Sequence, residues 1–248
     1  MTSISGVHIV IAPCCGARYV LPCYVSLNFM ASEHWTDGWR EDSLMPNDEG
    51  LRQCECGRFV LIRDLLTIGT AETSELPPIP FVPDARLPEC IAKAQSEDME
   101  VAARLEYWRC LNHPYRQQYR QHREAEEAAT KAAWEAANPD RRTWWQRLLR
   151  RKAPSYRRPP DSPFTFPAFE PTAEQRQNME RLSEILLARS AAAGRGFDAL
   201  TLAELYRELG RFDEAERAIS TLDGQDLTAS LIARLIKERR TAPTRYRF

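Results

Sequence analysis

The fold turns on two stretches, IAPCCGARYVLPCY at residues 11–24 and RQCECGRFVLIRDL at residues 52–65. Together they hold Cys14, Cys15, Cys23, Cys54 and Cys56, with Gly16 directly after Cys15 and Gly57 directly after Cys56. Glycine tolerates the backbone of a tight turn. Such a turn lets amide N–H groups face a thiolate sulfur, and four thiolates in a tetrahedron form a structural zinc donor set. Cys54, Cys56 and Gly57 have this form with one spacer residue. In the first half Cys14 and Cys15 are adjacent, and Ala12 stands where a two-residue spacer would put a cysteine. Successive side chains of an extended strand point to opposite faces, so two adjacent cysteines share a metal only where the turn bends sharply. Cys15 holds the place before the glycine. The fourth ligand is Cys14 or Cys23, and Cys14 is preferred. The expected zinc ligands are therefore Cys14, Cys15, Cys54 and Cys56, with Cys90 and Cys110 as core thiols in helical patterns.

The chain has 248 residues, seven cysteines, 43% hydrophobic residues and a net charge of −1. An odd cysteine count is unsuited to a disulfide framework. The start, MTSISGVHIVIAP, lacks the basic run and long apolar core of a signal peptide, and no apolar stretch approaches the ~20 residues of a membrane span. A cytoplasmic location, where thiols stay reduced, is expected. Near-neutral charge gives no global pull toward nucleic acid or membrane.

Around the cysteines, VHIVIAP and ARYVLPCYV read as strands, and GRFVLIRDL as another. Asp37-Gly38 is a strong turn dipeptide. A loop of Thr36, Asp37 and Gly38, with Gly38 left-handed, sets Trp35 opposite Trp39. Five prolines in LPPIPFVPDARLP, residues 76–88, mark an extended linker that packs through Ile79 and Phe81. From Pro88 onward apolar residues recur at helical spacing, with Pro114 expected to break or kink the first helix. Strong helix formers then run to Asn138. A second proline-rich bridge covers 154–171. Thr172 and Gln175 form a capping box, and residues 173–193 and 198–239 make about three helices punctuated by Gly194, Gly196, Gly210 and Gly224. The expected fold is α+β: a small zinc-ribbon-like β module over 1–70, a linker over 71–88, a helical region over 89–153, the bridge over 154–171, and a tetratricopeptide-like helical region over 172–248.

Three segments carry a resemblance. HWTDGWREDSLMPNDEGLRQCECGRFVLIRDL at 34–65, AAWEAANPDRR at 132–142 and LAELYRELGRFDEAERAI at 202–219 resemble an uncharacterised bacterial family. Its members join a cysteine-knuckle, zinc-ribbon-like region bearing a tryptophan–Asp-Gly hairpin to a helical C-terminal half. The resemblance is patchy over roughly the whole chain and brings no activity with it. Ala12, in place of a knuckle cysteine, and the basic 141–160 segment depart from the family pattern. LAELYRELGRFDEAERAI is also similar to one tetratricopeptide hairpin. Leu202, Ala203 and Tyr206 would lie on its first helix, Gly210 and Phe212 at the turn, and Ala215 and Ile219 on its second helix. One hairpin cannot bury its apolar face alone, so packing against 173–193 is preferred over a peptide-binding groove.

RRTWWQRLLRRKAPSYRR, residues 141–158, holds eight basic residues and no acid. As a helix it would place Trp144, Trp145, Leu148 and Leu149 on one face, flanked by Arg147, Arg150 and Arg151. It could meet an anionic membrane surface, nucleic-acid phosphates with tryptophan stacking, or an acidic protein face such as residues 124–127. Trp144 or Trp145 is expected to be at least partly buried against the protein's own helices, leaving the arginines outward as a partner-binding patch. No phosphate-cradling glycine loop, nucleophile–base pair or open metal motif points to an enzyme. A catalytic zinc would use histidine or carboxylate ligands, and His8 and His34 stand alone. The reading is a non-enzymatic protein-interaction or adaptor module with structural zinc. The alternative is a nucleic-acid-associated protein using the ribbon and the 141–158 segment.

Overall fold

Alternating β-branched and aromatic residues in the first stretch form a hairpin. Strands β1 (Ser3–Ile11) and β2 (Arg18–Ser26) pair antiparallel, with Val10 opposite Tyr19 and Ile9 opposite Val20. This computed structural model describes residues 3–28, 30–41, 50–139, 142, 144–145, 155–157, 169–193, 198–222 and 226–246. The chain divides into one unit made of Met1–Asn112 and Phe169–Phe248 and a second of His113–Ala168. In the first unit strands come first and a larger set of helices follows.

The segment after Gly57 does not stay one strand. It splits into β6 (Phe59–Leu61), a short turn, and β7, which runs Leu66–Ala71. Strand β6 forms a hairpin with β5 (Leu51–Gln53), while β7 lies on the free side of β1, giving the order β2-β1-β7. Val10, Ala12, Tyr19, Cys54, Val60, Leu65 and Ile79 close a small core between them. The proline-rich linker is tied down by its carbonyls. Pro77 accepts from Val20 N–H at 3.0 Å and Pro80 from Gln53 N–H at 2.9 Å. Ile79 is buried as expected, but Phe81 is 66% exposed, with the Arg52 guanidinium over its ring at 3.9 Å.

Helices α1 (Leu87–Ala92) and α2 (Glu97–Ala137) follow. Leu51, Phe59 and Leu61 of the β5–β6 hairpin share a core with Leu87 and Cys90 of α1 and Met99 and Ala103 of α2. Of the expected break or kink at Pro114, the break does not occur: α2 continues through it. Proline removes one main-chain bond at a cost of about 3 kcal/mol. The strong helix formers beyond it and the buried Val101 and Trp108 before it carry the helix across.

Among the described residues the C-terminal part has four helices where about three were expected: α3 (Ala173–Ala193), α4 (Ala199–Glu208), α5 (Phe212–Ile219) and α6 (Leu227–Lys237). The capping box is formed: Thr172 N–H donates to Gln175 Oε1 at 2.8 Å, and Gln175 N–H to Thr172 Oγ1 at 3.2 Å. Gly210, at φ 76°, ends α4. There Gly210 N–H reaches Arg207 O and Arg211 N–H reaches Tyr206 O, the paired bonds of a glycine-terminated helix. Met179, Leu182 and Leu186 of α3 pack with Leu202, Ala203, Leu205 and Tyr206 of α4, Ala215 of α5 and Ile232 of α6.

The Trp-Thr-Asp-Gly-Trp turn forms as read: Trp35 N–H bonds Trp39 O at 2.9 Å, and Gly38 has φ 78°. Its strands, β3 (Glu33–Trp35) and β4 (Arg40–Glu41), join a third from the far end of the chain, β8 (Arg245–Tyr246), with the order β4-β3-β8. The turn enters a polar interior. Arg207 of α4 pairs with Glu204 through two nitrogens at 2.7 and 2.5 Å and reaches Thr36 Oγ1 at 3.4 Å and Ala242 O at 3.0 Å. Asn112 donates to both Asp37 Oδ2 and Glu208 Oε2 at 3.1 Å, and Trp108 Nε1 donates to Glu208 Oε2 at 2.8 Å. Burial and the neighbouring Glu204 and Asp37 carboxylates push the Glu208 carboxyl well above its ordinary value, against the pull of Arg207 and the Trp108 donor.

Candidate metal centre

Two turns built on the same plan face one another. In the second, Cys54 N–H bonds Arg58 O at 2.8 Å and Gly57 N–H bonds Cys54 O at 2.8 Å. In the first, Ala12 N–H bonds Ala17 O and Gly16 N–H bonds Ala12 O, each at 2.9 Å. Gly16 and Gly57 both have positive φ, 78° and 83°. Ala12 thus takes the place that Cys54 takes in its own turn, and it is wholly buried in the same core. The first turn is one residue longer, and this bend lets both Cys14 and Cys15 face the second turn.

The sulfurs of Cys14, Cys15, Cys54 and Cys56 all lie within 4.8 Å of one another. Cys15 and Cys54 are 3.3 Å apart, Cys14 and Cys56 3.5 Å, and Cys14 and Cys15 3.9 Å. A tetrahedral ion with Zn–S bonds of about 2.3 Å would hold its sulfurs about 3.8 Å apart. The four residues could therefore hold a metal ion. Cys54 is buried, Cys14 half-buried, and Cys15 and Cys56 exposed. Cys23 is in β2 opposite Gly6 and does not belong to the group. Cys90 is fully buried and Cys110 half-buried, both in the β–helix core.

The thiols are not alike. Burial raises Cys54, but hydrogen bonds from Tyr19 and from the Cys56 N–H, with those of the neighbouring thiols, outweigh it and bring Cys54 down to about 7. Burial and then the adjoining sulfurs raise Cys14. For Cys15 the Ala17 N–H favours the thiolate, yet Cys54 and desolvation leave it raised. The Ala17 and Cys56 amides thus play the part that glycine-bearing turns suggest. Tyr19, 2% exposed, was not singled out in the sequence. Its signal is position: it follows Gly16-Ala17-Arg18 as Phe59 follows Gly57-Arg58. Its hydroxyl is 3.3 Å from Cys54 Sγ and accepts the Glu55 N–H at 2.9 Å.

The proposed partner patch is only partly in view. Arg147, Arg150 and Arg151 lie outside the described residues. Trp144 and Trp145 stack on one another at 3.9 Å between ring centroids and are 62% and 59% exposed. One of them was expected to be at least partly buried against the protein's own helices; both are exposed, and each ring covers part of the other. Beside α4, a cavity of about 720 Å³ is lined by Leu187, Leu202, Tyr206, Arg211 and Arg217 among others. No helix among the described residues is long and apolar enough to cross a membrane.

The chain thus has N-terminal strands carrying a four-cysteine cluster and a helical C-terminal region. Compared with known proteins, it matches no family model, no curated protein and no solved structure.

Proposed function

We propose that Cys14, Cys15, Cys54 and Cys56 hold one structural zinc ion and that the chain is a non-enzymatic, cytoplasmic protein-interaction module. The carrying observation is that all four sulfurs lie within 4.8 Å of one another, with three of the pairs at 3.3–3.9 Å, close to the tetrahedral value. Zinc suits an all-thiolate set because it imposes no geometric preference of its own and needs no redox partner. Four protein ligands leave no open position for a reacting water, so the ion would serve the fold. It would clamp the β1–β2 turn to the β5–β6 turn. Elemental analysis of protein purified without chelators should give about one zinc per chain. Zinc absent, or iron in its place, would end this reading.

The interaction role is supported by the exposed Trp144–Trp145 stack, since exposed large apolar side chains that adjoin one another are a feature of contact sites, and by the basic residues around it in sequence. An acidic protein surface is the preferred partner. Arg147→Glu, Arg150→Glu and Arg151→Glu combined should leave unfolding unchanged and abolish capture of partners from the native host. Stacked, exposed tryptophans within a basic segment also suit single-stranded nucleic acid. Binding to single-stranded RNA that persists near physiological salt would favour that reading.

A further inference from the structure

Hydrogen-bond arithmetic at Tyr19 fixes the direction of one contact. A phenol oxygen has one proton to give and lone pairs to receive. The Glu55 N–H, 2.9 Å away, has no choice but to donate to Tyr19 Oη. The phenol proton remains free to turn to Cys54 Sγ at 3.3 Å. A metal-bound thiolate carries no proton and can only accept. Both groups are buried, at 2% and 1% exposure, so water does not compete for either. The β1–β2 register holds Tyr19 in place opposite Val10, inside the core that contains Cys54.

From this geometry we infer that Tyr19 is a positioning residue of the metal centre, donating its phenol proton to the metal-bound Cys54 thiolate. The inference rests on the metal reading above and adds to it a ranking of the ligands. Cys54 is the anchored sulfur, held by a side-chain donor and shielded from solvent. Cys15 and Cys56 are exposed, and metal enters and leaves through them. By joining Cys54 Sγ to the Glu55 amide through one hydroxyl, Tyr19 also stiffens the turn that presents Cys56. Partners of this kind are worth 10–100-fold in metal affinity.

The test is Tyr19→Phe, which keeps the ring and removes the donor. Wild type and variant are each loaded with Co(II), read by absorption, and then competed with a chelator. The variant should still bind one ion, with affinity lowered 10–100-fold. Its sulfur-to-cobalt charge-transfer band should move to longer wavelength, because an unbonded thiolate gives up an electron more easily. A purely structural role for the hydroxyl would not move that band. Replacing Tyr19 with 3-fluorotyrosine, a stronger donor, should move it the other way, and this variant decides the matter if Tyr19→Phe fails to fold. Unchanged band positions and an affinity within twofold of wild type would overturn the inference and leave the metal site standing. No Co(II) binding by the wild type would instead overturn the metal reading itself.

Discussion

Arg207 and Glu204, one helical turn apart on α4, face each other in a fully buried, two-pronged ion pair, with side chains 0% and 1% exposed. The same guanidinium reaches Thr36 in the Trp-Thr-Asp-Gly-Trp turn and the main chain at Ala242. One side chain thus joins α4, the early turn and the late segment leading to β8.

Breaking this pair from one side should cost much more than removing it. Arg207→Ala leaves a buried carboxylate and several acceptors unmatched, and a loss of about 3–5 kcal/mol is expected. Arg207→Met combined with Glu204→Leu should recover a large part of it. Urea unfolding of the two variants checks the difference; equal losses would mean that the charges are not coupled.

Glu208 sets a pH dependence. Its folded pKa is raised, chiefly by burial and then by Glu204 and Asp37, with Arg207 opposing. The folded protein therefore binds a proton that the unfolded chain has released. The contribution is fully present below the unfolded pKa of about 4.3 and is lost as pH rises through the folded value. Glu208→Gln, which keeps the shape without the charge, should flatten the fall in stability above that pH. Denaturation midpoints from pH 5 to 8 measure it. A slope identical to wild type would show that Glu208 does not titrate in this range.

The cysteines should separate cleanly. Cys54→Ser or Cys56→Ser should release the metal and loosen the β2-β1-β7 sheet, because binding energy in such sites is folding energy. Cys23→Ser should do neither, since Cys23 stands apart from the cluster. Metal content and amide exchange of β1 and β2 report both effects. Loss of metal in the Cys23 variant would reassign the fourth ligand.

Ala203 and Ala215 have no exposed surface at the α4–α5 contact. Leucine at either position should overpack the hairpin and lower stability by about 1–3 kcal/mol. Thermal melts of Ala203→Leu and Ala215→Leu check it, and an unchanged melting temperature would mean that the helices can spread apart freely.

What the sequence showed well was local. Asp37-Gly38 closes its own turn, the Thr172–Gln175 box spans four residues, and two cysteine–glycine turns carry their own geometry. What it hid was distant. Glu204, Arg207 and Glu208 look like the polar side of an amphipathic helix, and nothing nearby in sequence says that the turn around Asp37 will cover them. Tyr19 looks like an ordinary strand aromatic until the Cys54 turn is folded against it. Pro114 does not end its helix because a lost main-chain bond is a local cost, and the rest of a long helix can outweigh it. Trp144 and Trp145 read as one face of a helix, and nothing in that pattern says that each ring will cover part of the other.

The β3–β8 pairing has a consequence in time. Glu33 and Arg245, ion-paired beside that pairing, are 212 residues apart, so on a ribosome the first waits for nearly the whole chain to follow. Trp35, Thr36 and Asp37, all buried at the end, must leave the exit tunnel uncovered. At 5–20 residues per second, that wait lasts on the order of ten seconds to a minute. The two cysteine turns are 39 residues apart from Cys15 to Cys54 and can meet within a few seconds of synthesis. The metal-bearing strands can therefore be assembled first, with the tryptophan turn left open for the late segment to close.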